Sequence, residues 1–428
     1  MEKLYYIVIF LPVLAAFWFA IAPLGVPGRG RNEFESARLR RLYCGAVQLR
    51  VFLYTSAACC IIGLCWILTA WPGWWTAIPV VLICAGIETL LFWCGMVRIY
   101  LSSVQLGMKW RVIGAATGLI PIVNLLVLLK LIGLVQQEVE TETEKAELNQ
   151  VRAESKICQT KYPLLLVHGV FFRDFKYLNY WGRIPRELQR NGAQVFYGNQ
   201  QSADSVADCG KEIAARIREI CRKTGAEKVN IIGHSKGGLD SRYALSMCGA
   251  APYIASLTTI NTPHRGCKFA EWLFFHVPEK ARQKIANTYN ETVKYLGDTE
   301  PDFLSAVLDL TESGCEALNA EMHEPEQTFV EEYGIFCQSV ASKMTKASHG
   351  KFPLNLTHRF VKLFDGPNDG LVAVTSMKWG SRCIELKAKG RRGISHGDVI
   401  DLNRENIPGF DVREFYVNLV KDLRERGL

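Results

Sequence analysis

The hydrophobic pattern changes character once along this chain. From Leu4 to Val135 apolar residues fall in four long runs, Leu4–Ala22, Val51–Trp71, Trp74–Val97 and Val112–Val135. Each is close to the ~20 residues that cross a bilayer core. They predict an all-α transmembrane region of about four helices over residues 1–135. The first run is also compatible with a cleaved secretory signal, but its length and the similar runs after it favour a retained span. Glu88 and Asn124, near the middle of runs three and four, predict buried hydrogen bonds between neighbouring helices. Residues 136–160 turn charged and Glu-rich, which predicts a helical stalk or linker.

From Tyr162 the pattern becomes short apolar blocks alternating with helix-periodic stretches. Strands are expected at Tyr162–Val167, Ala193–Tyr197, Lys228–Ile232, Ile254–Ile260, Gly334–Val340, His358–Leu363 and Cys383–Leu386. Asp174–Arg190 reads as broken and partly helical. Helices are expected at Ser205–Lys223, Gly237–Met247 and Asp411–Arg426, the last closing the unit. This alternation implies a doubly wound, mostly parallel sheet over residues 161–428. The rhythm stops between about residues 267 and 327, where Phe269, Trp272, Leu273, Phe274 and Phe275 cluster. That insertion is expected to be a helical cap, or a lid that opens against lipid.

Charge changes the picture of the first third only. The chain has 428 residues and a formal net charge of +8. Arg29, Arg31, Arg38, Arg40, Arg41 and Arg50 fall between runs one and two, and Arg98, Lys109 and Arg111 between runs three and four. The link between runs two and three has no basic residue and is marked by Trp71, Trp74 and Trp75. With four crossings, the positive-inside rule puts both basic loops in the cytoplasm, and both termini, with everything after Val135, outside it. The arginines therefore read as topological anchors, and no motif around them supports a nucleic-acid partner. Of 14 cysteines, six lie in or beside the apolar runs and eight in the later domain, without zinc-like spacing. Lys130 can snorkel from run four.

The candidate chemistry centres on Gly233-His234-Ser235-Lys236-Gly237, which joins an apolar strand to a helix. This is the nucleophile elbow of an α/β-hydrolase. The turn is tight enough to require Gly233 and Gly237, and it presents Ser235. A serine hydroxyl needs a base, and the base an orienting acid. In this fold they follow the nucleophile as acid, then histidine. Asp369, in Asn368-Asp369-Gly370, is the candidate acid, with Asp365 in the same loop as runner-up. His396 is the candidate base. His234 reads as packing and His264 as part of the site wall. The oxyanion hole requires two backbone N–H donors. Lys236, after the nucleophile, and Val170, after His168-Gly169, are the candidates. The Lys236 side chain is expected near the site mouth.

On these motifs, with Thr262-Pro263-His264-Arg265-Gly266 and Asn368-Asp369-Gly370-Leu371-Val372, residues from Tyr162 onward resemble the bacterial true lipases of the Pseudomonas and Burkholderia triacylglycerol lipase type. The whole chain looks more like membrane-anchored α/β-hydrolases of clostridial type. The resemblance implies Ser235, Asp369 and His396 as nucleophile, acid and base, and Val170 and Lys236 as oxyanion donors. It also implies a structural calcium, for which Asp398 matches one ligand. The residues from Val340 to Phe364 hold no second carboxylate, Leu402 stands where an amide is expected, and Thr375 replaces the family's cysteine. No cofactor is required by the triad itself. The expectation is a membrane-tethered serine hydrolase of lipid or long-chain esters. An acyltransferase on the same covalent path and a non-catalytic envelope scaffold are the alternatives.

Overall fold

The computed structural model describes residues 2–21, 34, 36–118, 120, 122–170, 179–295, 297–389 and 391–428. Arg29, Arg31 and the start of the stretch expected at Asp174–Arg190 lie outside these residues. The chain forms two compact units, Met1–Val151 and Arg152–Leu428.

The first unit is helical: α1 (Glu2–Ile21), α2 (Ala37–Thr69), α3 (Trp74–Ser102), α4 (Gly107–Ala116) and α5 (Val123–Arg152). Two helices, α2 and α3, are long and apolar enough to cross a membrane. Helix α2 starts well before its apolar run because the Ser36 hydroxyl accepts from Leu39 N–H, which satisfies one of the first-turn donors. One Glu88 carboxylate oxygen on α3 accepts from Thr55 and Ser56 hydroxyls on α2, each at 3.0 Å, the interhelical bond expected of a polar group among apolar neighbours. Asn124 differs: its amide donates to the Gly118 carbonyl at 2.8 Å and lies at an exposed turn.

The fourth apolar run, Val112–Val135, is not one helix but two, α4 and α5, with a break after Ala116. The sequence there carries Gly118 and Pro121, and proline neither donates to nor fits a helix interior. The charged segment after Val135 is helical, as α5 continues through it to Arg152.

The second unit is built on six parallel strands in the order β2-β1-β3-β4-β5-β6. They are β1 (Leu164–Val167), β2 (Val195–Tyr197), β3 (Val229–His234), β4 (Ile254–Ile260), β5 (Phe336–Ala341) and β6 (Arg382–Glu385). Between them run α6 (Ile184–Arg190), α7 (Val206–Thr224), α8 (Lys236–Met247), then α9 (Lys268–His276), α10 (Glu279–Tyr295), α11 (Phe303–Leu308) and α12 (Glu312–Tyr333), then α13 (Leu354–Asp365) and α14 (Val374–Met377), with α15 (Val412–Glu425) last. Alternate strand residues face opposite ways. Accordingly Leu164, Leu166 and Ile232 join Trp181 and Val420 in one core, while Leu165, Val167 and Ile231 join Ile213 and Ile217 in another. With both faces covered, β1 and β3 are buried at every position, which explains their continuous apolar runs.

The strand expected at His358–Leu363 is instead helix α13. His358 and Val361, three residues apart, face inward, while Leu356, Phe360 and Leu363 are exposed. Short apolar runs do not separate strand from helix, and here the three-residue spacing of the buried positions decided. The insertion between β4 and β5 is built of the helices α9 to α12, with no strand among its described residues.

Candidate active site

The elbow between β3 and α8 is closed by steric necessity. A Cβ on Gly233 would lie 2.8 Å from the Gly237 carbonyl oxygen, and one on Gly237 would lie 2.3 Å from the His168 carbonyl oxygen. Gly238 is equally constrained, with the Thr262 hydroxyl 2.0 Å from where its Cβ would be. Ser235 itself adopts φ 55° and ψ −128°, a region that non-glycine residues enter only under constraint. The β1 end passes directly against it, since a Cβ on Gly169 would stand 2.8 Å from Ser235 Cβ. Val170, next along, therefore lines the same cavity as Ser235. Lys236 opens α8, and its N–H is among the first four of the helix, which have no acceptor within the helix.

The structure brings Asp369 and His396 together. His396 Nδ1 lies 2.6 Å from Asp369 Oδ2, and the two residues are also joined by a backbone bond from His396 N–H to the Asp369 carbonyl at 2.9 Å. The ring of His396 is centred 4.5 Å from that of His234, the neighbour of Ser235. Asp369 is fully buried. Its Oδ1 accepts from Leu371 and Val372 N–H at 2.9 and 2.8 Å, and its Oδ2 also accepts from the Asn261 amide at 2.7 Å. Asn261, at φ 47°, has no signal in the sequence that ties it to Asp369. Only the register of β4 beside β5 carries it there. Asp365 serves another purpose: it accepts from the N–H groups of Lys268 and Phe269, both at 3.4 Å, at the start of α9.

His234 and His264 are held by packing and hydrogen bonds within the fold. The Tyr180 hydroxyl meets His234 Nδ1 at 2.6 Å. His264 stacks on Trp379 with ring centroids 5.2 Å apart, and its Nε2 meets the Thr259 hydroxyl at 3.0 Å. Burial first, and a neighbouring ionisable group second (His396 for one, Arg242 for the other), hold both imidazoles well below the usual histidine range. Both are neutral in the fold. The unfolded chain would take up protons near 6.5, so below that pH the unfolded state binds more protons. Stability is therefore expected to fall as pH drops below about 6.5, by up to about 1.4 kcal/mol per pH unit for each histidine. Thermal melts of detergent-solubilised protein between pH 8 and pH 5 measure it. A melting temperature that is flat over that window would contradict the neutral buried imidazoles.

The Lys236 side chain corrects another expectation. It is buried rather than exposed at the mouth, with Nζ 2.6 Å from Asp240 Oδ1, both side chains 2% exposed. It ties the first turn of α8 to the next. Asp398, matched to a calcium ligand, has its oxygens 3.0 and 3.3 Å from the Arg392 guanidinium and accepts from Ser395 N–H at 3.0 Å. A guanidinium already neutralises that carboxylate, and no group of three or more His, Cys, Asp or Glu side chains suited to a metal occurs among the described residues. These residues do not fit the implied calcium.

Ser235 and Val170 line a cavity of about 390 Å³. Most of its wall comes from the β4–β5 insertion, through Phe269, Leu273, Phe274, Ile285, Phe303, Leu304 and Val307, with Val361 and Val372 opposite. Among the described residues the one charged group in the lining is Arg282, its guanidinium 4.6 Å over the Phe274 ring. Sequence reasoning passed over it because it sits in an otherwise ordinary polar helix face.

A doubly wound parallel sheet whose third strand ends in a strained serine at an apolar cavity is the α/β-hydrolase architecture. The family model described as palmitoyl protein thioesterase matches residues 163–297. The triacylglycerol lipase of Pseudarthrobacter phenanthrenivorans is 37% identical over 165 residues, 36% of this chain and 51% of that one. The triacylglycerol lipase of Vibrio cholerae is 30% identical over 242 residues, 52% of this chain and 75% of that one. Among solved structures, Staphylococcus hyicus lipase is 17% identical with a TM-score of 0.47, covering 63% of this chain and 97% of its own. This chain belongs to the family of the bacterial triacylglycerol lipases. It spans about half the length of the Pseudarthrobacter relative.

Proposed function

We propose that the chain is a membrane-anchored serine hydrolase that cleaves carboxylic esters of long acyl chains through an acyl-enzyme. The observation that carries the reading is the cavity: an almost wholly apolar chamber with Ser235 in its wall, together with a histidine, packed on the ring of His234, that a buried carboxylate holds at 2.6 Å. An acyl chain enters the chamber by leaving water, and its carbonyl stops at Ser235.

The steps follow from the groups present. His396 Nε2 takes the Ser235 proton as Oγ attacks the carbonyl carbon. Asp369 holds Nδ1–H and so fixes the tautomer that leaves Nε2 free to accept. Negative charge gathers on the former carbonyl oxygen, where the N–H groups of Val170 and Lys236 receive it. His396 then gives its proton to the departing alcohol. Water repeats the path on the acyl-enzyme, releasing the carboxylic acid and restoring Ser235. The helices of the insertion, with Trp272 and Phe275 exposed on them, act as the lid over the chamber, and α2 and α3 as the anchor. The order of the five motifs supports a hydrolase of the Pseudomonas and Burkholderia type, without its calcium.

Labelling with a fluorophosphonate tests the reading. The protein is expected to react, and Ser235→Ala to lose the label while keeping its circular dichroism. Labelling that survives Ser235→Ala would overturn the nucleophile assignment. A chain-length series of p-nitrophenyl esters tests the chamber. Each buried methylene contributes about 0.8 kcal/mol, so kcat/KM is expected to rise roughly fourfold per methylene until the chamber fills. Leu304→Trp is expected to move that plateau to shorter chains. A preference for acetate over long esters would remove the long-chain reading and leave the triad standing.

The family match over residues 163–297 favours a second substrate, an S-acyl thioester. It would follow the same path, with a thiol as the departing group. Comparing matched oxyesters and thioesters of one acyl chain separates the two.

A further inference from the structure

The membrane unit settles which end of its helices the chain leaves from, and that end is the arginine-rich one. Glu138 on α5 is the marker. Its side chain is almost fully buried and pairs with Arg38, at the start of α2, at 2.5 Å. It also accepts from the Ser103 hydroxyl at 2.6 Å and from the N–H groups of Val104 and Gln105, both at 3.1 Å. Those groups follow the end of α3. Arg38 in turn donates to the Ser102 carbonyl at 2.9 Å. The start of α2, the end of α3 and residue 138 of α5 are therefore at one level.

The chain reaches Glu138 by going in and coming back. Helix α4 folds back on α3, with the Arg111 guanidinium on the Tyr100 and Ser103 carbonyls at 3.0 and 2.7 Å. A cation suits those unpaired carbonyls at a helix end. Then α4 and α5 form a hairpin. A Cβ on Gly114 would lie 2.2 Å from the Tyr100 hydroxyl and 3.2 Å from Leu131, so glycine is needed for this approach. At 1.5 Å per residue, α5 climbs only about 22 Å from Val123 to Glu138, while α2 runs about 46 Å from Arg38 to Thr69. Arg50 stands about 18 Å above Arg38 by the same measure. The hairpin tip thus passes Arg50 by about one turn, far short of the ~30 Å hydrocarbon core beyond it.

We propose that α4 and α5 are a re-entrant hairpin, and that the hydrolase unit emerges on the cytoplasmic face and draws lipid from the cytoplasmic leaflet. The proposal rests on the membrane-anchor reading above. Arg38, Arg40, Arg41 and Arg50 on α2, Arg98 on α3 and Arg111 on α4 share one end of the unit. The opposite link, residues 70–73, has no basic residue and is bracketed by the exposed Trp71, Trp74 and Trp75. The positive-inside rule makes the arginine end cytoplasmic. The hairpin's exposed residues, Ile120, Ile122, Leu125 and Leu126, are apolar, as a tip dipping into acyl chains requires.

The test compares two positions on the full-length protein in membranes. Cys383, exposed on β6, probes the hydrolase unit, and Pro72→Cys probes the tryptophan link. A membrane-impermeant maleimide is expected to label Pro72→Cys in intact cells and Cys383 only in inverted vesicles, with Cys383→Ser as the blank. Labelling of both positions from one side would make the hairpin a true crossing and overturn the proposal. Release of the protein by a carbonate wash would remove the anchor reading and this proposal with it. Fluorophosphonate reactivity of Ser235 is unaffected by either outcome, so failure of the topology and failure of the hydrolase reading are told apart.

Discussion

Asp369→Asn is expected to lower kcat by about 10⁴-fold, with the substrate KM little changed. The size of the loss follows from the donors around the carboxylate. Oδ2 receives His396 Nδ1 and the Asn261 amide, and Oδ1 receives Leu371 and Val372 N–H. Every partner except the imidazole is a fixed donor. An asparagine that keeps its oxygen toward His396 turns its NH₂ onto two backbone N–H groups. One that spares the backbone turns its NH₂ onto Asn261 and onto His396, where it demands that Nδ1 accept. That moves the imidazole proton to Nε2, the atom that must receive the serine proton. Either orientation also leaves a buried donor unpaired, at a cost of about 1–3 kcal/mol in stability. Asp365→Asn is the control: its partners are two long N–H bonds at the start of α9 and the Cys267 thiol at 3.8 Å, and activity within about twofold of the parent is expected, as for substitutions away from the chemistry. Steady-state kinetics on a p-nitrophenyl ester measure both. The reverse ranking would transfer the acid role to Asp365.

What could be read from the sequence was what short-range sterics fix. The elbow was legible because Gly233 and Gly237 are demanded by backbone atoms within five residues or on the adjacent strand, so the requirement leaves a mark in a five-residue word. The pairing of Asp369 with His396 was legible through chain order, since a doubly wound sheet brings successive loops to one edge. Asn261 was not, because its contact with Asp369 depends on the register between β4 and β5. The burial of Lys236 was not legible either: its partner Asp240 stands one helical turn away, a spacing that also suits a solvated surface pair. Helix α13 was mistaken for a strand because its apolar residues suit both periods over six positions. The break between α4 and α5 was hidden by hydropathy, since an apolar run of the right length reads the same whether it forms one helix or two.

Gly237→Ala carries the second large effect, and it acts without touching any reacting group. The new Cβ would lie 2.3 Å from the His168 carbonyl oxygen and 2.6 Å from that of Val167. Both are backbone atoms at the end of β1, buried and hydrogen-bonded to their neighbours, so relief requires the elbow and the β1 loop to separate by about 1 Å, the difference from ordinary van der Waals contact. That is the loop which carries Gly169 and Val170 past Ser235. Displacement of this order costs about 10²-fold in rate where catalytic geometry is tight. The loss should fall on kcat, because the chamber wall that binds the acyl chain comes mainly from the insertion after β4. It should also leave fluorophosphonate labelling slower rather than absent, since Ser235, His396 and Asp369 all remain. Gly63→Ala, in α2 where a Cβ meets nothing within 4 Å, is the comparison and should change neither rate nor label. If Gly237→Ala kept full kcat, the β1 loop would not be holding an oxyanion donor against the elbow, and Val170 would have to be given up in that role.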